Sequence, residues 1–218
     1  MKVKNTDLFE STPALLSSLF EACEFPFEAI AMLSESLEKI INNPPQGFSL
    51  YKEGVLVEEG ATIEEGATVL APTVICKGAV IRQGAYIRGK VFVDEGAVVG
   101  HCTEIKNSIL MEKAQAPHFN YVGDSILGNR AHIGAGVILS NLKADKSAVT
   151  IKGDTHLSTG MRKLGAILGD GAEVGCNAVL NPGSVISKNS TVYPLVSWRG
   201  VLPEGYIAKS QDKIVKKK

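Results

Sequence analysis

The sequence TVICKGAVIRQGAYIRGKVFV, residues 73–93, places an aliphatic residue at every sixth position. The same spacing continues in both directions along the chain. The aliphatic residues of this series are Val57, Ile63, Val69, Ile75, Ile81, Ile87, Val93, Val99 and Ile105. A period of six fits neither an α-helix nor a hairpin, and it is typical of the hexapeptide repeats of a parallel β-helix. Three repeats form one triangular coil of about 18 residues, so we predict a mainly β fold of stacked coils.

The composition agrees with a narrow core of small side chains. The 218 residues include 22 glycines, and only 6% of them are aromatic, while 44% are hydrophobic. Basic and acidic residues are equal in number at 23 each, so no excess of positive charge favours binding to nucleic acid. No apolar run approaches the ~18 residues of a membrane span. We therefore expect a soluble, cytoplasmic protein that binds neither nucleic acid nor membrane.

The sixfold series changes phase twice. The later aliphatic residues are Leu127, Ile133, Leu139, Ile151 and Leu157 in a second phase, and Leu168, Val174, Leu180, Ile186 and Val192 in a third. We predict insertions at about 111–126 and 159–167 and a smaller irregularity at 141–150. Insertions into stacked coils become surface loops, which often carry function.

The N-terminal region has a helical pattern instead. Thr12 and Pro13 form a helix-start signature, because a hydroxyl caps a free N–H group and proline suits the first turn. We predict a helix from about residue 13 to 22 and a second from near Pro26 that ends at 42–45. The second helix carries aliphatic residues at helical spacing, namely Ile30, Leu33, Leu37 and Ile40.

These patterns divide the chain into three parts. We predict a helical cap or oligomerisation segment at 1–50, a β-helix at 51–200 and a C-terminal tail at 201–218. A solenoid needs both of its ends covered. The helical segment is expected to cover one end, and the irregular stretch after Leu195, which contains Trp198, the other.

The densest group of reactive residue types is PHFNYVGD at 117–124. His118, on a predicted loop, suits a general base because imidazole is largely unprotonated at neutral pH, but an exposed histidine without a chemical role fits equally. Arg88 and Lys106 are separated by one full predicted coil and are expected to stack on successive coils. They either bind a phosphate or remain solvated charges with Glu104 as a partner. The scattered cysteines lack any CxxC pairing and are predicted to be free thiols, namely Cys23, Cys76, Cys102 and Cys176.

Two stretches carry a family resemblance. HFNYVGDSILG at 118–128, followed by HIGAG at 132–136, is similar to the acetyltransferase domain of the bifunctional N-acetylglucosamine-1-phosphate uridylyltransferase/glucosamine-1-phosphate acetyltransferases. The same stretches are also similar to the archaeal sugar-1-phosphate nucleotidylyltransferase/acetyltransferases. The similarity covers roughly residues 55–195 and includes VGHCTEIKN at 99–107. It implies a left-handed parallel β-helix and a homotrimer with its active sites between neighbouring chains.

The resemblance also implies roles for individual residues. The implied catalytic residues are His118 as the general base, Glu104 as its orienting carboxylate, and Asn141 near the acetyl group. The implied sugar-phosphate contacts are Arg88, Lys106, Tyr121, His132 and Lys146. The implied coenzyme contacts are Ala135 and Cys176. This chain departs from the family at two of these regions, with His132 where asparagine is usual and Asn107 in place of a second lysine.

The resemblance implies an enzyme that transfers the acetyl group of acetyl-CoA to the amine of glucosamine 1-phosphate or galactosamine 1-phosphate, in nucleotide-sugar precursor synthesis. No metal is expected. Residues 1–54 lack a glycine-rich GxGTR loop, so uridylyl transfer is not expected. Two alternatives stay open: a catalytically silent hexapeptide-repeat binding protein, and a γ-type carbonic anhydrase with zinc held between chains. The carbonic anhydrase is the weaker alternative because its close HxxxxH pair is missing here.

Overall fold

The computed structural model describes residues 2–217, and short strands dominate it. Its helical elements are α1 (Asn5–Leu8), a 3-10 turn (Ala14–Leu16), α2 (Ser17–Glu21) and α3 (Pro26–Asn42). Its strands are β1 (Phe48–Lys52), β2 (Val55–Glu58), β3 (Thr62–Ile63), β4 (Thr68–Val69), β5 (Thr73–Ile75), β6 (Val80–Ile81), β7 (Tyr86–Ile87), β8 (Val91–Val93), β9 (Val98–His101), β10 (Glu104–Lys106), β11 (Ser108–Leu110), β12 (Gln115–His118), β13 (Tyr121–Gly123), β14 (Ile126–Leu127), β15 (His132–Ile133), β16 (Ile138–Leu139), β17 (Thr150–Lys152), β18 (His156–Ser158), β19 (Ala166–Leu168), β20 (Glu173–Val174), β21 (Val179–Leu180), β22 (Ser184–Ile186), β23 (Thr191–Val192), β24 (Ser197–Trp198), β25 (Val201–Leu202), β26 (Tyr206–Ser210) and β27 (Lys213–Lys216). The prediction of a mainly β protein is confirmed.

Apart from the β17–β18 hairpin, the strands of residues 2–217 form three sheets, which are the three walls of a β-helix. Sheet A has the order β1-β2-β5-β8-β11-β14-β19-β22-β25, and sheet C has the order β24-β21-β16-β13-β10-β7-β4. Sheet B has the order β27-β26-β23-β20-β15-β12-β9-β6-β3. The aliphatic residues of the sixfold series point inward, and Ile81, Ile87, Val93, Val99 and Ile105 are fully buried in one core. The predicted coil is therefore confirmed.

The predicted insertion at 111–126 is wrong, because this segment is a regular coil. Ile87 pairs with Ile105, a full coil of three hexads later, whereas Val93 pairs with Leu110 and Leu110 with Leu127, each across a coil that is one residue shorter. The phase changes because the chain loses one residue at a corner. The shortened corners are turned by Asn107 and Asp124, whose φ angles are 46° and 49°. His118 therefore lies on strand β12 and not on an inserted loop.

The other two predicted interruptions are parts of one excursion. Ile126 pairs with Ile167, more than two coil lengths later in the sequence, so the chain leaves the coil after β16 and returns at β19. Within the excursion, β17 and β18 form an antiparallel hairpin in which Ile151 pairs with Leu157. The prediction that these two residues rejoin the coil is wrong, because their spacing of one hexad arises from pairing with each other across a hairpin.

The predicted helix from Pro26 is confirmed, and α3 ends at Asn42. The predicted helix at 13–22 is instead a 3-10 turn followed by the short α2. The helices do not cover an end of the solenoid as expected. They pack against the outer face of sheet A together with the hairpin, in a cluster that includes Leu33, Phe92 and Val149. Large apolar side chains on that face require a cover, which explains the placement.

Antiparallel strands cover the solenoid ends instead. β1 pairs with β2 at the N-terminal end of sheet A, and β27 pairs with β26 at the C-terminal end of sheet B. The predicted tail from 201 onward thus contains strands of the β-helix, although its last residue lies outside the described residues. Trp198 is buried in the last strand of sheet C, as its packing role predicts. None of the helices within residues 2–217 is long and apolar enough to span a membrane.

A pH-dependent stability effect is predicted at Asp94. Burial raises the pKa of Asp94, and the nearby carboxylates Glu112 and Glu95 raise it further. The folded state therefore binds this proton more tightly than the unfolded state, and ionisation of Asp94 lowers stability as pH rises through the folded pKa. We expect Asp94→Asn to melt at a higher temperature than the parent at pH 7, with the difference disappearing below the unfolded pKa, about pH 4.

The matched control is Asp212→Asn, which changes an exposed aspartate in the turn between β26 and β27. It should leave the melting temperature unchanged at both pH values. An Asp94→Asn protein that melts below the parent at pH 7 would contradict this account of Asp94.

Candidate active site

His118 lies at the end of β12, where the chain turns from sheet B to sheet C. The buried Asn120 side chain fixes this turn: its Oδ1 accepts a hydrogen bond from the His118 N–H at 3.0 Å, and its Nδ2 donates to the Gly134 carbonyl at 2.7 Å. The His118 side chain is exposed, and within residues 2–217 its imidazole forms no hydrogen bond. The structure therefore presents the imidazole to solvent from an anchored backbone.

Three predicted site residues follow one another along this corner. The Gly136 N–H donates to the His118 carbonyl at 3.0 Å, and the Asn177 N–H donates to the Ala135 carbonyl at 2.8 Å. These bonds place His118, Ala135 and Cys176 at the same corner position on successive coils, which lie roughly 5 Å apart at strand spacing. The general base and the two coenzyme contacts implied by the resemblance thus lie in one line.

A second group lies on the outer face of sheet C. The pairing of Ile87 with Ile105 places Arg88 and Lys106 at neighbouring positions on successive coils, as their spacing predicts. The Arg88 Nη1 lies 2.7 Å from the Glu104 Oε1. The carboxylate that the resemblance places beside His118 therefore holds the arginine in this structure.

Asp124 connects this group and was not predicted as a site residue. Its carboxylate is buried and accepts hydrogen bonds from the Lys106 Nζ at 3.4 Å, the Asn107 Nδ2 at 2.8 Å and the Asn141 Nδ2. It therefore fixes one predicted substrate contact and one predicted catalytic residue. The signal in the sequence was its place in the motif at 117–124, but its partners became visible only when the shortened coil was known.

Tyr121 extends over Gly123 toward the same cluster. A Cβ atom at Gly123 would lie 2.7 Å from the Tyr121 hydroxyl oxygen and 2.6 Å from the Asn141 Nδ2, so only glycine leaves room for both. Burial raises the pKa of Tyr121, and the carboxylates of Glu104 and Asp124 raise it further. The phenol consequently stays protonated at neutral pH and is a hydrogen-bond donor beside the two cations.

Two predicted substrate contacts lie apart from this cluster. His132 is on the outer face of sheet B, where its Nδ1 lies 2.9 Å from the Glu173 Oε2. Lys146 is exposed in the excursion that follows β16, in a left-handed conformation with φ of 58°. The structure does not bring either residue into the sheet C cluster within one chain. Within residues 2–217, no group of three His, Cys, Asp or Glu residues is arranged to hold a metal ion.

Comparisons with known proteins find similarity over part of the chain. The family model described as the GMPPB C-terminal domain matches residues 69–164. The chain is 35% identical over 126 residues to the bifunctional protein GlmU of Methanococcus vannielii, which covers 57% of this chain and 30% of that protein. This chain is therefore similar to part of a GlmU protein. A bifunctional sugar-1-phosphate nucleotidylyltransferase/acetyltransferase of Sulfurisphaera tokodaii is 38% identical over 98 residues, 44% of this chain and 24% of that protein.

The chain thus matches less than a third of the length of these two relatives. Among solved structures, UDP-N-acetylglucosamine O-acyltransferase (LpxA) of Moraxella catarrhalis aligns over 75% of this chain and 72% of its own, at 11% identity and a TM-score of 0.45. The segment matched by the GMPPB C-terminal family model, residues 69–164, includes His118, Asp124 and Ala135.

The role of Asp124 in the sheet C cluster is open to a stability test. In Asp124→Asn, the new amide places donors opposite the donors of Lys106, Asn107 and Asn141. Because these groups are buried or partly buried, we expect the free energy of unfolding to fall by about 1–3 kcal/mol in urea titrations at pH 7. The control Asp154→Asn changes an exposed aspartate at the hairpin turn and should have no effect. Equal stability of the Asp124→Asn and parent proteins would show that the hydrogen bonds accepted by Asp124 do not stabilise the fold.

Proposed function

We propose that this protein transfers the acetyl group of acetyl-CoA to the amine of a hexosamine 1-phosphate, either glucosamine 1-phosphate or galactosamine 1-phosphate. One observation carries the proposal. The free imidazole of His118 lies between a corner that leads past Ala135 to Cys176 and a sheet C face that carries Arg88 and Lys106. A long thioester cofactor fits along the first, and a sugar phosphate fits on the second.

The residues at the corner supply the groups that acyl transfer requires. The His118 imidazole accepts a proton as the sugar amine attacks the thioester carbonyl, and no internal hydrogen bond of this side chain has to break first. The resulting tetrahedral oxyanion needs a donor. Within residues 2–217 the Ala135 N–H has no hydrogen-bond acceptor, and it lies one coil beyond His118. It is the donor we propose for the oxyanion.

The sheet C group supplies donors for a phosphate. The Arg88 guanidinium gives one of its five N–H groups to Glu104 and has others to offer, while Lys106 and the Tyr121 hydroxyl lie beside it. We propose that these three residues hold the sugar phosphate and that Asn141 contacts the sugar near the acetyl group. The proposed roles of Glu104 beside His118, and of His132 and Lys146 at the sugar, rest on the family resemblance alone.

A homotrimer is part of the proposal. Several apolar side chains near the site are well exposed in the single chain, with Tyr86 at 41%, Ile138 at 42% and Phe119 at 60% of their maximal exposure. Neighbouring chains that pack against this face would bury these side chains and close the open side of the site. Such packing would also bring His132 or Lys146 of another chain toward the sugar.

The first test concerns the general base. His118→Ala should lower the rate of acetyl-CoA thiol release with glucosamine 1-phosphate by about 10²–10⁴-fold, because proton transfer by a positioned side chain contributes that much. The control His156→Ala changes an exposed histidine of the hairpin and should retain the parent rate. Parent-like activity of His118→Ala would exclude His118 as the base, and a parent protein inactive with both hexosamine phosphates would favour a binding protein.

The second test concerns the phosphate. Arg88→Gln should raise the KM for glucosamine 1-phosphate about 10- to 100-fold, since a charge-assisted hydrogen bond contributes about 1.5–3 kcal/mol. The KM for glucosamine without phosphate should stay unchanged. Arg199→Gln removes an exposed arginine at the far end of the same wall and serves as the control. An equal change of KM for both acceptors would contradict a phosphate contact at Arg88.

A further inference from the structure

A cysteine–histidine pair lies one coil before His118, on the same corner. His101 and His118 are register partners in sheet B, and Cys102 follows His101 in the left-handed conformation that turns the corner, with φ of 51°. The Cys102 Sγ lies 3.3 Å from the His101 Nε2, and both residues are exposed. A thiol beside an imidazole is the arrangement in which a nucleophile meets its base.

The orientation of the imidazole suits that role. The His101 Nδ1 lies 2.8 Å from the Gln83 carbonyl oxygen, which only accepts hydrogen bonds, so Nδ1 carries the proton. The Nε2 atom then has the lone pair that accepts the proton of the Cys102 thiol. The ring of Phe119 packs edge-on against His101 with centroids 5.4 Å apart, which limits rotation of the imidazole. Cys102 thus supplies a nucleophile and His101 a base, and the Gln83 carbonyl orients that base.

The backbone of Cys102 offers an oxyanion donor. At the next corners along this line, the N–H groups of Phe119 and Gly136 donate to the carbonyls of the preceding coil. The equivalent acceptor for Cys102 is the Gln83 carbonyl, which His101 already occupies. Within residues 2–217 the Cys102 N–H consequently has no acceptor.

A glycine one coil earlier keeps these groups accessible. Gly84 precedes Cys102 by one coil, and a Cβ atom there would lie 3.1 Å from the Cys102 Sγ and 3.5 Å from its backbone nitrogen. Because Gly84 has no side chain, no side chain from the preceding coil crowds the Cys102 thiol and backbone nitrogen. The exposed ring of Phe119 forms an apolar wall on the opposite side.

We propose that Cys102 is an acyl-accepting nucleophile that becomes S-acetylated by acetyl-CoA. The proposal rests on the proposed function for the presence of acetyl-CoA at this corner. His101 takes the proton of the Cys102 thiol, and the thiolate attacks the thioester carbonyl carbon while the Cys102 N–H donates to the oxyanion. The new Cys102 S–C bond replaces the CoA S–C bond, and the CoA thiolate takes the proton back from His101. The products are S-acetyl-Cys102 and coenzyme A, with no change of oxidation state.

The test measures two reactions of Cys102 in the full-length protein. With acetyl-CoA as the probe, intact-mass spectrometry should show the addition of one acetyl group that neutral hydroxylamine removes, and peptide mapping should place it on Cys102. Cys102→Ala should abolish the label, and His101→Gln should reduce its rate on the order of tenfold or more. An unlabelled parent protein, or a label on another residue, would overturn the proposal.

Alkylation by iodoacetamide tests the pair without acetyl-CoA. Cys176 is also exposed and has no hydrogen bond to a histidine within residues 2–217, so it is an internal reference in the same protein. Cys102 should be alkylated about tenfold faster than Cys176 at pH 7, because the thiolate is the reactive form and His101 accepts the proton. Equal rates in the parent, or no slowing of Cys102 in a folded His101→Gln protein, would overturn the pair.

The two proposals fail in different ways. A protein that acetylates glucosamine 1-phosphate while Cys102 stays unlabelled and slow to alkylate retains the proposed function and loses this inference. A protein with a labelled, fast-reacting Cys102 that leaves both hexosamine phosphates untouched retains the inference and loses the proposed function.

Discussion

Backbone hydrogen bonds between successive coils determine which side chains of this protein meet. They set each strand residue directly over its counterpart one coil away, as Ile87 over Ile105 and Val93 over Leu110. The interior is filled by aliphatic side chains, so charged and reactive groups are confined to the outer walls and corners. Each outward residue therefore has neighbours that are fixed by coil length. Arg88 reaches Glu104, and Lys106 reaches Asp124, through this constraint alone.

The loss of a single residue from successive coils creates the centre of the candidate site. The shortened steps from Ile105 to Leu110 and from Val122 to Leu127 place Asn107 and Asp124 at tight corners with positive φ angles. Asp124 can then accept hydrogen bonds from Asn107 and from Lys106 one coil earlier. Asparagine and aspartate tolerate this backbone conformation better than most residues. Asp124, which turns one of the shortened corners, therefore also binds Lys106.

The coil could be predicted from the sequence, but the positions and kinds of its interruptions could not. One buried aliphatic residue in every six follows from the physics of a narrow core, and the structure confirms it. A phase change is ambiguous, because removal of one residue from a hexad and addition of five give the same shift. This ambiguity led to a predicted loop at 111–126 where a shortened coil exists. It also hid Asp124, whose partners depend on coil length, whereas His118, Arg88 and Tyr121 were predicted from residue type, spacing and the family resemblance.

At the corner between sheets B and C, reactive side chains lie beside backbone N–H groups that have no acceptor within residues 2–217. In the strands, parallel pairing uses the N–H groups of each coil, so few donors remain for a substrate. At the corner, left-handed residues such as Cys102 and Phe119 break the strand pattern, and the N–H groups of Cys102 and Ala135 have no acceptor within residues 2–217. A reaction that passes through an oxyanion needs such a donor beside its nucleophile or base. In the reactions proposed above, His118 is combined with the Ala135 N–H, and His101 with the Cys102 N–H, at this corner.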